Sequence, residues 1–279
     1  MRDEKELKIF YHLGMGKVAS TFLQYQFFPF LQNVKYIQRT KHQEYAQIIE
    51  KDPHGSYVLS RENDRQLERE VQKFAKHFTD VRAILIFRRH DSWLASQYRR
   101  FLKNGVNVSF EQFIDLDENQ GYWDVKELDF FSKIQIIEKY FDHKPLVLFY
   151  DELQEDNKDF FNRLAHYCGA KFDYDSLNLK SKHKSYEEKQ LKFMKAFSSK
   201  FNIPQDYSKN KLVAAAQRWL RMMVKYPVLY MGRVSPGSFT SDEPLIDPDQ
   251  CIRIREHGKK DWERLKAYAA ENNPKFTSA

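Results

Sequence analysis

The sequence predicts an α/β protein, a parallel sheet flanked by helices and followed by a helical C-terminal part. Three observations predict it. Short apolar runs alternate with longer amphipathic ones over the first two-thirds of the chain. Several of the short runs are apolar almost throughout, as strands buried on both faces are. The strand signal then stops after Tyr150. Regular alternation of strand and helix is the pattern that a parallel sheet covered on both sides requires.

In chain order, the expected strands are Lys8–His12 (KIFYH), Val34–Gln38, Tyr57–Ser60, Arg82–Phe87 (RAILIF) and Leu146–Tyr150 (LVLFY), all short and rich in β-branched or aromatic residues. Helical periodicity fills the gaps, at about Val18–Phe28, Asn63–Phe78, Ser92–Lys103 and Glu127–Phe141. Beyond Tyr150 the expected helices are Asp156–Cys168, Tyr186–Phe201, Lys209–Tyr226 and Pro248–Glu271. The stretch Tyr226–Pro248, punctuated by proline and glycine, is expected to be an ordered surface loop. The helix after it is too short to form a domain. A single domain over 1–279 follows, with an α/β core in 1–153 and a mainly helical remainder in 154–279 that supplies packing and acceptor-site elements.

Composition narrows the class. Of 279 residues, 42% are hydrophobic and 30% charged, which fits a globular chain with a sizeable core. The 23 Phe and 16 Tyr imply a core built largely of packed rings. Disordered, collagen-like and disulfide-scaffold classes are excluded, and no apolar run is long enough to span a bilayer as a helix. With charges in the opening MRDEKELKIFYHLG and only Cys168 and Cys251, no leader peptide and a cytoplasmic location are expected. The net charge of +7 suits an anionic ligand without identifying one.

The first chemistry-bearing segment is LGMGKVASTFLQ, a tight loop between strand and helix. Gly14 and Gly16 let the backbone turn and bring N–H groups close to an anion. The helix N-terminus adds unpaired donors and partial positive charge, Lys17 a full charge, and Ser20 and Thr21 hydroxyls. These are the parts of a phosphate cradle; the plain alternative is a strand-to-helix turn whose lysine points to water. It is not a nucleoside-triphosphatase loop. That motif places a hydroxyl directly after the lysine to hold magnesium, whereas Val18 follows Lys17 here. No metal-ligand spacing occurs, and no metal is expected.

The second segment is FRRHDSWLAS. Arg88 and Arg89 end the fourth strand, at the sheet edge where ligands of open parallel sheets collect. Ser96, eight residues after Arg88, stands in the second helical turn and could share one phosphate with it. Ser92, Ser96, Arg99 and Lys103 form one stripe of that helix, opposite Leu94, Tyr98 and Phe101. The plain alternative is a solvated face.

Together the two segments resemble a known family. HLGMGKVASTFLQ resembles the 5′-phosphosulfate loop of sulfotransferases that use 3′-phosphoadenosine 5′-phosphosulfate (PAPS), and FRRHDSWLAS resembles their 3′-phosphate motif. The form is closest to bacterial and carbohydrate-type members. YVLSREN resembles a segment that follows the next strand in bacterial members, and VLFYDEL the later strand and acidic loop. The resemblance spans Ile9 to Leu153. It implies a P-loop-like sheet, PAPS as donor, Lys17, Ser20 and Thr21 at the 5′ end, and Arg88 with Ser96 at the 3′-phosphate. His90 departs from the family, standing where many members have proline. Val18-Ala19 replaces the commoner Thr-Gly. A C-terminal family element is vestigial in REHGKKDW (Arg255–Trp262), one residue short.

Sulfuryl transfer to a hydroxyl is expected to pass through a loose in-line transition state, by analogy with phosphoryl transfer. Lys17 is placed to stabilise charge on the bridging oxygen, and an acceptor hydroxyl needs a base within reach. Glu62, just after the third strand, is the first candidate base; its plain role is an acid at the N-terminus of the following helix. His12, ending the first strand, is the second; its plain role is a hydrogen-bonded core residue. The acceptor expected is a carbohydrate or similar hydroxyl compound, with a lipid or small metabolite as alternatives. A nucleotide-dependent kinase and a non-enzymatic polyanion-binding module are the rival readings, and no nucleic-acid motif occurs. Lys180–Lys184 and the Arg218, Arg221, Lys225 series are basic runs that either line an acceptor cleft or face solvent. The four tryptophans either stack on a ring of the ligand or pack in the core.

Overall fold

The computed structural model describes residues 6–179, 186–201, 208, 210–235 and 242–276. Its strands are β1 (Lys8–His12), β2 (Lys35–Ile37), β3 (Ser56–Ser60), β4 (Val81–Phe87) and β5 (Leu146–Phe149). They form one sheet in the order β2-β3-β1-β4-β5, with every pair parallel. The helices are α1 (Ser20–Phe22), α2 (Tyr45–Glu50), α3 (Leu67–Ala75), α4 (His90–Lys103), α5 (Phe110–Phe113) and α6 (Phe131–Tyr140). They continue with α7 (Tyr150–Glu155), α8 (Asn157–Tyr167), α9 (Glu188–Lys200), α10 (Lys211–Val234), α11 (Pro248–His257) and α12 (Lys259–Asn272). The expected α/β architecture is the observed one, and each expected strand is present within a residue or so of its predicted ends.

The chain forms two compact units that interleave along the sequence. One comprises Met1–Arg89, Glu127–Lys182 and Gly258–Ala279; the other His90–Lys126 and His183–His257. The first holds the sheet. Neighbouring residues of a strand face opposite sides, and β1 shows what covers each side. The Phe10 ring meets Tyr167 of α8 at 5.9 Å, while the Tyr11 ring meets Phe74 of α3 at 4.7 Å. Phe74 also stacks on Tyr45 of α2 at 4.4 Å, so the aromatic core expected from composition gathers around it.

Asp261 and Trp262, in the segment that resembles the family's C-terminal element, act structurally within this unit. The Asp261 carboxylate accepts from the amides of Phe130 and Phe131, capping the start of α6 with negative charge where unpaired N–H groups lie. The Trp262 ring meets Phe149 edge-on at 4.9 Å.

In the second unit α4 packs against α9 and α11, and α9 against α10. Trp93 and Trp123 are buried against each other at 5.6 Å, so these two tryptophans are core residues. Arg255 of α11 donates from Nε and Nη2 to Asp91 Oδ2 at 3.0 and 2.8 Å, which neutralises a buried carboxylate.

The expected loop after Tyr226 is corrected in part: α10 runs on to Val234 with Pro227 inside it. Pro227 removes one hydrogen bond, and the orphaned carbonyl, of Met223, lies on the exposed side of the helix where water can replace the donor. Gly232 was a turn signal in the sequence. Here it permits close helix contact, since a Cβ on it would stand 2.9 Å from Phe193 Cβ and 3.0 Å from Gln190 Cα of α9. The first expected helix also differs. It begins as α1, widens into a π-helical turn over Leu23–Phe27 and tightens over Phe28–Phe30, where Pro29 interrupts the regular bonding.

Candidate functional site

The site is built on the sheet edge where β1, β3, β4 and β5 end. After His12 the chain enters the loop by alternating buried anchors with outward positions. Leu13, Met15 and Val18 are buried, Lys17 and Ala19 are half-exposed, and Thr21 is exposed. Lys17 and Ala19 take φ angles of 71° and 65°, the left-handed region that costs a non-glycine residue about 1–2 kcal/mol. Two such residues in three positions fold the backbone back on itself. The Ser20 hydroxyl braces the turn by donating to the Met15 carbonyl at 2.9 Å.

The segment after β3 is stitched to this loop. The Arg61 amide donates to the His12 carbonyl at 2.9 Å, and the Asn63 amide to the Gly14 carbonyl at 3.2 Å. One step further, the Gly16 amide donates to Asp64 Oδ1 at 2.8 Å. A carboxylate oxygen therefore accepts from an N–H of the expected anion cradle. Glu62 lies between the two anchored residues and is exposed. The predicted helix from Asn63 starts only at Leu67, with Glu68 and Glu70 as its first-turn acids. Glu62 thus stands outside that helix, and its plain role as a helix-terminal acid is removed.

From β4, Arg88 reaches the same loop. Its Nη1 donates to the Lys17 carbonyl at 3.4 Å, and the guanidinium lies over the Tyr150 ring at 4.6 Å. The structure thus brings Lys17, Arg88 and the Glu62 segment together around one loop. Ser96 is in the second turn of α4, half-buried on the same stripe as Ser92 and Arg99, and belongs to the other compact unit.

His12 is fully buried beneath the loop. Its Nδ1 shares a hydrogen bond with Ser60 Oγ at 2.8 Å, and Ser60 Oγ also accepts from Gln24 Nε2 at 3.1 Å. Its Nε2 has no partner among the described residues and fills the space beside Gly14, where a Cβ would come within 2.3 Å. Gly14 is required by this close approach and not by its φ. Burial drives the His12 pKa from 6.5 down to about 3, and burial followed by the Arg61 charge lowers that of His42 to about 4.

Both imidazoles are neutral when folded and take up protons more readily when unfolded. Stability is therefore full above about pH 6.5 and declines as pH falls toward the folded values. Each group contributes a slope of up to about 1.4 kcal/mol per pH unit. Thermal melts across this range should show the decline, and His12→Asn should make it shallower; an unchanged slope in that variant would contradict the assignment.

Asp64 and Tyr150 were not singled out as site residues from the sequence. Tyr150 directly follows a strand at the ligand edge, a position that could have flagged it. Asp64 carried no such signal, because its role depends on the register between two loops. Trp219 of α10 is exposed, and the basic run Lys180–Lys184 lies outside the described residues. A cleft of about 400 Å3 opens elsewhere on the first unit, lined by Glu152, Glu155, Asp156, Asp159, Arg163 and Phe276. Its carboxylates are of the wrong sign for a phosphate ligand.

The fold and the loop define a class, a P-loop-like α/β protein in which an arginine reaches the backbone of the loop beyond the ends of its parallel strands. No protein-family model matches the chain, and no curated protein matches its sequence. Solved structures share similarity with it, two sulfotransferases among them. A sulfotransferase from Alicyclobacillus acidocaldarius is 10% identical, with a TM-score of 0.43, over 68% of this chain and 91% of that one. The mouse sulfotransferase SULT7A1, solved with PAP, is 12% identical, with a TM-score of 0.43, over 96% of this chain and 89% of that one.

Proposed function

We propose that the protein is a sulfotransferase that moves a sulfuryl group from PAPS to a hydroxyl of a carbohydrate-type acceptor. The observation that carries this reading is the reach of Arg88 to the carbonyl of Lys17. Two segments proposed to bind anions, 71 residues apart in the chain, thereby meet at one loop, which suits a donor with phosphates at two positions. The order and spacing of the motifs in the first half of the chain support the same donor. A kinase reading is disfavoured at the position after Lys17, where a magnesium-binding hydroxyl would stand. Val18 occupies it and is fully buried.

The residues divide the work as follows. Lys17, the Gly14–Gly16 backbone and Thr21 hold the 5′-phosphosulfate end, with Ser20 keeping the loop in shape. Arg88, set by Tyr150, holds the 3′-phosphate. Lys17 offsets charge on the bridging oxygen as the bond from sulfur to the leaving phosphate breaks. Glu62 accepts the proton of the acceptor hydroxyl while its oxygen bonds to sulfur. His12 supports the loop from below, with its ring committed to Ser60 and Gly14.

Thermal denaturation tests the donor site with 3′-phosphoadenosine 5′-phosphate (PAP), with ATP–Mg²⁺ and with neither. At a hundred times its Kd the bisphosphate should stabilise by about 2.7 kcal/mol and raise Tm by several degrees. A shift with ATP–Mg²⁺ and none with the bisphosphate would replace this reading with the kinase. No shift with either would favour a polyanion-binding module with steep salt dependence.

A further inference from the structure

Helix α10 leaves a second apolar face exposed. Its 24 residues hold five Lys or Arg and no Asp or Glu. An ordinary surface helix turns its charges to water and its apolar stripe to the core. Here the buried positions are Ala214, Val228, Leu229 and Gly232, and the half-buried cations Arg221 and Lys225 beside them are held by the protein. Arg221 donates to the Asn104 carbonyl, and Lys225 Nζ lies 3.5 Å from Asn104 Oδ1. The outward face is apolar: Trp219, Leu220, Met223, Tyr226, Tyr230 and Met231 are between 49% and 65% exposed. From Trp219 to Met231, at 1.5 Å per residue, this face is roughly 20 Å long, and exposed Arg233 stands just beyond its C-terminal end.

We infer that this face of α10 docks on an anionic lipid surface. Several observations select that occupant. The helix offers only positive charge, so a second copy laid against it would oppose like charges, whereas acidic headgroups complement it. The opposite side of α10 is already packed against α9, so an encircling partner cannot reach around it and a flat surface can. Tryptophan and tyrosine together on an exposed apolar face suit the boundary between headgroups and chains. No helix among the described residues is long and apolar enough to cross a membrane, so α10 lies on the surface. The inference is independent of the donor site.

The test uses the full chain and vesicles of phosphatidylcholine alone or mixed with phosphatidylglycerol. Flotation should carry the protein with the mixed vesicles and leave it behind with phosphatidylcholine. Trp219 emission should shift to the blue in the first case, a signal that Trp219→Phe removes. The pair Leu220→Glu with Met223→Glu should abolish flotation, and because both side chains are exposed, its Tm should match the wild type. Replacing Arg233 by Ser should weaken partitioning about five-fold. Failure of the wild type to float with either vesicle would overturn the inference, as would equal binding to both. A dimer in sedimentation that the glutamate pair dissolves, without vesicle binding, would assign the face to a second copy instead.

Discussion

Lys17→Ala is expected to lower kcat by about 10²–10³, the usual loss when one charged donor to a leaving group is removed. The substitution isolates the ammonium. Alanine already occupies φ 65° at position 19 of the same loop, so alanine at position 17 meets a backbone demand that this turn has met once. The carbonyl that accepts from Arg88 is retained, and so are the neighbouring anchors Met15 and Val18. Initial rates at saturating donor and acceptor measure the effect, and the bisphosphate melt shows whether the site still forms. Turnover near the wild-type value would remove Lys17 from the chemistry.

Glu62→Gln is expected to cost about 10²–10⁴ in kcat, the range for a lost general base. The amide has the shape of the carboxylate but takes up no proton at working pH. Main-chain bonds on both sides of residue 62 hold its position, so geometry is preserved in the variant. The bisphosphate melt should match that of the wild type, and the acid limb of the rate profile should vanish. Full activity would place the base elsewhere and make His12→Asn the next variant to assay.

The strands were legible because each is short, apolar and bounded, and the sheet edge that carries the site followed from their parallel order. The first loop was legible for a related reason: glycine, lysine and hydroxyl residues cluster within eight positions between a strand and a helix. What could not be read depends on distant partners. The Gly16 amide meets Asp64 only because β1 and β3 are neighbours, and nothing local to Asp64 announces it. Gly14 reads as a turn glycine, yet its constraint is the His12 ring two residues earlier, seen only when that ring is packed. Pro227 and Gly232 gave the strongest false signal. Both usually punctuate a chain, but α10 tolerates the proline on its exposed side and uses the glycine for a close contact. The exposed apolar face of α10 could not be read because helical periodicity reports faces without saying which one the fold will bury.

Two bonds that join the β1 loop to the segment after β3, from the amides of Arg61 and Asn63, run from main chain to main chain. They do not depend on which side chains stand at 61 and 63, so substitution there leaves both bonds in place. Inheritance then treats the two loops as one fixed part. Residues around them can change while the spacing between the two loops is kept.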